Sequence, residues 1–276
     1  MAENINKKVD EMLGGWKTPF QNKEASWQAI SQKIDSKSSM QGRVFALPRF
    51  ARVAAALAII LGLSWVFIPR SDLVLAQSSV GKTTELFLPD GSKVTLNAVS
   101  EITYSKEDFE KDRVLDLSGE AFFQVKEGSR FTVRTEGGEV SVLGTEFNVH
   151  SRENRFMVQC RSGRVAVTRG VSKALLTKGM MVQNASDELS EAIEDAPPIT
   201  WMEGQFLFSE RPVMEVFSEI ERQFGVRING QGDLQGLFTG EFERSNLISA
   251  LDVVCSTMGL NYQVNELQGE VLVSTK

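Results

Sequence analysis

Sixteen consecutive residues, 53–68 (VAAALAIILGLSWVFI), carry no charge and lie between Arg52 and Arg70. Those arginines are 18 positions apart, about 27 Å of helix at about 1.5 Å per residue. A bilayer's hydrocarbon core is about 30 Å thick, so both guanidinium groups can snorkel to an interface. Nine Val, Leu, Ile and Phe side chains each favour insertion by about 0.3–0.6 kcal/mol at a helix centre. Pro69 stops the helix at its far end. The run is apolar on both faces, which predicts a single transmembrane helix over 53–69 rather than a half-buried helix of a soluble domain. A cleavable leader would need a charged head of about 52 residues, far beyond the usual form.

Flanking charge sets the orientation. Lys33, Lys37, Arg43, Arg49 and Arg52 precede the run, whereas only Arg70 and Lys82 follow it closely. Basic residues stay on the cytoplasmic side, so the expectation is a cytoplasmic N-terminus and a periplasmic bulk, anchored in the cell inner membrane. Residues 1–52 carry nine Lys or Arg against five Asp or Glu, leaving 21 of 30 basic and 31 of 36 acidic residues beyond the run. The outer body is thus acidic, and direct nucleic-acid binding is not expected of it. Ala54, Ala58 and Gly62 form a small-residue ridge of a kind that pairs helices. The single histidine, the two cysteines and the absence of a Gly-rich phosphate loop or G-x-S-x-G elbow leave no metal, cofactor or hydrolase signature. No enzymatic activity is expected.

The head, residues 1–50, is too short for a core of its own. Val9, Met12 and Leu13, with Ile5, form one helical stripe that Gly14-Gly15 ends; Trp27, Ile30 and Ile34 form a second. A tryptophan-bearing stripe with so little chain to cover it predicts a docking segment that completes its fold on a partner.

Residues 70–83 read as a linker, and residues 84–183 as an all-β domain. The turn LPDGS and the pairs Phe131/Val133, Val140/Val142, Phe147/Val149, Phe156/Val158 and Val165/Val167 alternate at spacings typical of a sandwich, barrel or stacked-strand fold. By parity Cys160 joins the apolar face with Phe156 and Val158, while His150 falls on the opposite face, read as solvent. A Cys160–Cys255 disulfide is compatible with an oxidising compartment. The acidic stretch 184–200, with Pro197-Pro198, reads as a second linker. Beyond it, residues 201–276 switch period: a strand at 206–208, a helix opened by Pro212 and closed by Gly225, strands at 226–228 and 238–242, a helix capped by Ser245 and closed by Gly259, and strands at 262–264 and 271–274. This is a β-α-β-β-α-β-β, split α+β module.

The outer residues resemble a known family, the FecR-type transmembrane anti-sigma regulators. LPDGSKVTLNAVSEITY (88–104), RVLDLSGEAFFQV (113–125), FTVRT (131–135), VLGTEFNVHS (142–151), SGRVAV (162–167) and TKGMMV (177–182) carry the likeness. The spacing of GEAFF and LGTEFNV is its most specific part. Residues 201–228 (WMEGQFLFSERPVMEVFSEIERQFGVRI) are similar to the small C-terminal domain of the Bacteroidetes branch, itself similar to the short N-terminal domain of secretins and TonB-dependent transducers. The resemblance implies a head that holds an extracytoplasmic-function sigma factor and outer domains that receive a signal from the signalling domain of a TonB-dependent outer-membrane transporter. It also implies self-cleavage at Gly144–Thr145, the Thr hydroxyl attacking the preceding carbonyl, and later cutting by site proteases near the span. A second reading is a non-enzymatic scaffold that tethers cell-envelope components; such a scaffold has no use for an exposed stripe of Trp27, Ile30 and Ile34.

Overall fold

A computed structural model describes Trp27, Gln28, residues 30–33, Ala58 and residues 72–275. Trp27, Gln28, residues 30–33 and Ala58 are helical. The predicted span 53–69 otherwise lies outside the described residues, as do Arg52, Arg70, Val9, Met12, Leu13 and Ile34. Among the described residues no helix is long and apolar enough to cross a membrane.

The β domain begins earlier than its alternation suggests. Strand β1 (Leu73–Gln77) lies inside the stretch expected to be a linker and pairs along its length with β4 (Glu101–Ser105). Leu73, Leu75 and Gln77 are exposed while Val74 and Ala76 face inward, an alternation too short to separate from loop by sequence. Between these strands lie β2 (Thr84–Phe87) and β3 (Lys93–Leu96), joined by the LPDGS turn, where Asp90 accepts from both the backbone N–H and the hydroxyl of Ser92. A short helix, α1 (Lys106–Asp112), capped by the Ser105 hydroxyl, leads into the eleven-residue β5 (Val114–Gln124).

Strand β5 organises the domain. Its first half pairs with β4 and, in parallel, with β6 (Phe131–Arg134); its second half pairs with β3 and with β8 (Glu146–Arg152). One layer therefore continues through β6 to β7 (Glu139–Val142), and thence to β10 (Arg164–Arg169) and β11 (Ser172–Thr177). The other continues through β8 to β9 (Arg155–Ser162), β12 (Met181–Ala185) and β13 (Glu188–Leu189). The layers share one apolar core, in which Phe123 stacks on Phe147 at 5.0 Å and meets Phe131 edge-on.

Gly119, where β5 passes from one set of partners to the other, has φ of 112°. A Cβ there would stand 2.8 Å from the Cα of Ser100, so glycine is required twice over, for backbone angle and for contact. Cys160 lies buried on the apolar face as parity predicts, and both it and Cys255 are free thiols. The disulfide is absent because each sulfur sits in a different apolar core.

The stretch 184–200 is not a loose tether. Met181 and Ile193 exchange backbone hydrogen bonds, Ala196 N–H donates to the Gly179 carbonyl, and Gln159 Nε2 donates to the Pro197 carbonyl at 2.5 Å. Its acidic, proline-bearing composition reads as a linker, but backbone groups that composition cannot see fasten it along β9 and β12.

The C-terminal module follows the predicted order. β14 (Gln205–Pro212) precedes α2 (Val213–Phe224); β15 (Arg227–Gln231) and β16 (Leu237–Glu243) precede α3 (Leu247–Met258); β17 (Leu260–Asn265) and β18 (Glu270–Thr275) complete it. The strands form two small sheets, β14–β16 and β15–β18–β17, so the split arrangement is a pair of ribbons around two helices. Val213, Val216, Phe217 and Ile220 of α2 are buried, one apolar face of the helix. The cap of α3 is Asn246, whose Oδ1 accepts from Ser249 N–H, rather than Ser245. Both helices close on left-handed glycines, Gly225 and Gly259.

Replacing Gly119 by Ala is expected to cost about 2–3 kcal/mol, from strain at positive φ and overpacking. Chemical denaturation of the wild-type chain and the G119A variant measures it; equal midpoints would show that the junction can relax.

Candidate functional site

Two adjacent phenylalanines in β5 locate the site. Neighbouring strand residues point to opposite faces, so Phe122 and Phe123 cannot both enter one core. Phe123 joins the β-domain core, and Phe122 joins the core of the C-terminal module, packing with Trp201, Phe206 and the buried faces of α2 and α3. The outer face of β5 and β8 is thus covered by the second domain.

At the centre of that seam lies Glu120, 7% exposed. Its Oε2 accepts from Asn97 Nδ2 at 2.9 Å and its Oε1 from Asn148 Nδ2 at 2.8 Å. His150 Nδ1 stands 3.5 Å from Oε2. An ionised carboxylate only accepts, so it turns both asparagine NH₂ groups towards itself. Each amide oxygen then faces the second domain: Asn97 Oδ1 accepts from Gln223 Nε2 at 3.0 Å, and Asn148 Oδ1 from Trp201 Nε1 at 3.1 Å. Gln223 also donates to Glu219 Oε1, and Glu219 is gripped by Arg222, whose other branch reaches Glu153 at 2.7 Å. One hydrogen-bonded chain therefore runs from the β domain into α2.

Burial alone would push the Glu120 carboxyl up, but His150, Asn148 and Arg152 outweigh it and hold the group down at about 2. Burial depresses Arg152 and Arg155 below the usual guanidinium range. It acts on Arg222 likewise, but Glu219 and Glu153 outweigh it and the net direction is up.

His150 is on the face that parity assigns, yet that face is not solvent: its side chain is 16% exposed because the second domain covers it. The polar members of this seam, Glu120, Asn148, Arg152 and Arg155, alternate with core residues and read in sequence as ordinary solvated positions. The signal that could reveal them is the Phe122–Phe123 pair, since an outward phenylalanine implies a second cover.

Of the other predicted residues, Trp27, Ile30, Gly144 and Thr145 are among those described. Trp27 and Ile30 are 65% and 48% exposed on their helical segment. Thr145 is buried, and its Oγ1 donates to the Arg164 carbonyl at 3.0 Å. Gly144 has no positive φ; its need is room, as a Cβ would meet the Cγ of Glu127 at 2.5 Å. Among the described residues no group of three His, Cys, Asp or Glu side chains is placed to hold a metal.

The Glu120 pKa lies below its ordinary value in the folded chain, so its contribution is complete above about pH 4.5 and is lost as pH falls towards about 2. Glu120→Gln would set an NH₂ group against one of the asparagine donors and is expected to cost about 1–3 kcal/mol at neutral pH. It should also flatten the acid limb between those pH values. Urea midpoints measured from pH 7 down to pH 3 check both effects; a parallel acid limb in the variant would refute the assignment.

Comparison with known proteins agrees with this architecture. A family model described as FecR protein matches residues 75–166, and one described as FecR, C-terminal matches residues 205–269. Two crystal structures of a candidate anti-sigma factor from Parabacteroides distasonis ATCC 8503, at 2.50 and 1.65 Å resolution, are similar to this chain at 27% identity. Each comparison covers 74% of this chain and 99% of the solved one, with TM-scores of 0.68 and 0.67. No curated protein matches.

Proposed function

The chain belongs to the FecR family, and from that premise we propose that it is an anti-sigma factor of the inner membrane, crossing once over 53–69. In this reading the cytoplasmic head binds an extracytoplasmic-function sigma factor, and the periplasmic domains receive a signal from the signalling domain of a TonB-dependent transporter. The observation that carries it beyond family membership is the exposure of Trp27, at 65%, on a helical segment beside Ile30. Aromatic anchors of this kind dominate binding energy when a partner covers them.

The outer half of the relay has a physical basis in the seam. A partner that engages the C-terminal module moves α2, and Gln223, Glu219 and Arg222 tie that helix to Asn97 and Glu153 of the β domain. A shift at the module would therefore be felt at Asn97 and Glu153 of the β domain. Site proteases acting on the altered chain would then release the head.

Copurification from membranes tests the cytoplasmic half. The full chain is expected to bring down a sigma factor, and Trp27→Ala to lower its capture about tenfold or more, as for a binding hot spot. A scaffold would capture none, and unchanged capture by the variant would remove Trp27 from the interface.

We also propose the Gly144–Thr145 step. The Thr145 Oγ attacks the Gly144 carbonyl carbon, the C–N bond breaks as the nitrogen takes up a proton, and water later cleaves the ester. The Thr145 hydroxyl that would attack donates a hydrogen bond to the Arg164 carbonyl. Prolonged incubation of the purified chain should yield two fragments, and Thr145→Ala one intact band. A wild-type chain that stays whole would exclude the step.

A further inference from the structure

The seam between the domains is not closed along its whole length. Beside the Glu120 cluster it opens into a cleft of about 440 Å³, near the lower end of the about 300–1,000 Å³ typical of small-molecule sites. Met157, Ile193 and Leu207 supply apolar wall, and Arg152, Arg155 and Arg211 supply charge. Arg155 comes from β9 of the first domain and Arg211 from β14 of the second.

These guanidinium groups are short of acceptors. The Nε atoms of Arg152 and Arg155 and the Nη1 of Arg211 are buried without a hydrogen-bond partner. A buried donor left unpaired is costly and marks a missing acceptor. One carboxylate oxygen, Glu215 Oε2, serves both Arg155 Nη1 at 3.7 Å and Arg211 Nη1 at 3.6 Å. Both distances exceed a hydrogen bond, so a single acceptor is stretched between two donors. Elsewhere in the lining Glu219 and Glu153 pair with Arg222, and Glu120, beside His150, contributes to the field at Arg152, so the cleft as a whole carries no positive excess. Glu210 is exposed at the rim. What Arg155 and Arg211 lack is acceptors: they share one Glu215 oxygen, and each keeps a buried N–H nitrogen without a hydrogen-bond partner.

We propose that this cleft binds a carboxylate group on a compact, largely apolar ligand, gripped by Arg155 and Arg211 across the two domains. A planar, singly charged carboxylate fits the fork of a guanidinium group and would supply acceptors to the unpartnered N–H groups. A phosphate dianion would set twice the negative charge beside Glu215 and Glu219. Small rotations of the two arginines would bring their covered N–H groups onto the ligand. Because one arginine belongs to each domain, occupancy would hold the domains together.

The carboxylate could belong to a free acid or to a side chain of a partner polypeptide, and calorimetric titration of the full chain separates these sources. Butyrate represents the first, and an end-blocked Leu-Glu-Leu tripeptide the second; inorganic phosphate is the control. Saturable binding of either carboxylate is expected, with Arg155→Gln and Arg211→Gln each weakening it about tenfold or more. Butyrate binding indicates a free acid, and binding of the tripeptide alone indicates a partner side chain. No binding of either up to about 10 mM, equal binding of phosphate, or unchanged affinity in the variants would overturn the proposal. Should Arg155→Gln fail to fold, Arg211→Gln carries the test, since Arg211 Nη1 makes no hydrogen bond to lose. The titration does not depend on sigma-factor binding, so either idea can fail without the other.

Discussion

The Glu120 carboxylate is the constraint on which the two-domain arrangement rests. Buried charge is tolerated only when hydrogen bonds and opposite charge replace water, and here Asn97, Asn148 and His150 surround it. Satisfying Glu120 also orients the asparagine amides, and their outward oxygens are what Trp201 and Gln223 recognise. The first domain therefore presents its partner with a fixed pattern of acceptors. Hydrophobic burial of Phe122 supplies attraction without direction; the amide pattern supplies the register.

The residue string GEAFF gathers most of this physics into five positions. Gly119 lets β5 pass within contact of Ser100, and Glu120 organises the seam. Ala121 and Phe123 fill the β-domain core, while Phe122 enters that of the neighbour. LGTEFNV answers it from β8, with Phe147 stacked on Phe123 and Asn148 bound to Glu120. The two strings were legible as a family likeness, and their spacing now has a cause: they lie side by side in the sheet.

In the proposed relay, the seam would make signalling a matter of contact between packed bodies. Packed interfaces have few alternative arrangements, and this one joins a short helix to a large sheet through a continuous run of charged and amide groups. The adjoining cleft has arginines from both sides and too few acceptors between them. In the proposed relay, such a domain pair would respond to a ligand that supplies an acceptor or to a partner that pulls the helix away.

Periodicity by itself determined a great deal. Alternating β residues, the helical stripes of the C-terminal module and the glycines that end its helices each depend on neighbours a few positions away, so local order encodes them. The exposed stripe of Trp27 and Ile30 is of the same kind. What only tertiary structure decided is which face of β5 and β8 meets water. Alternation says that Asn148 and His150 lie opposite Phe147 and Val149, but it cannot say that another domain lies there. The same limit applies to 70–83 and 184–200, where composition reads as linker. There strand β1 and the Gln159–Pro197 contact depend on partners 24 or more residues away. Polar groups are at home in solvent or in a satisfied network, and sequence does not distinguish the two until the partners are brought together.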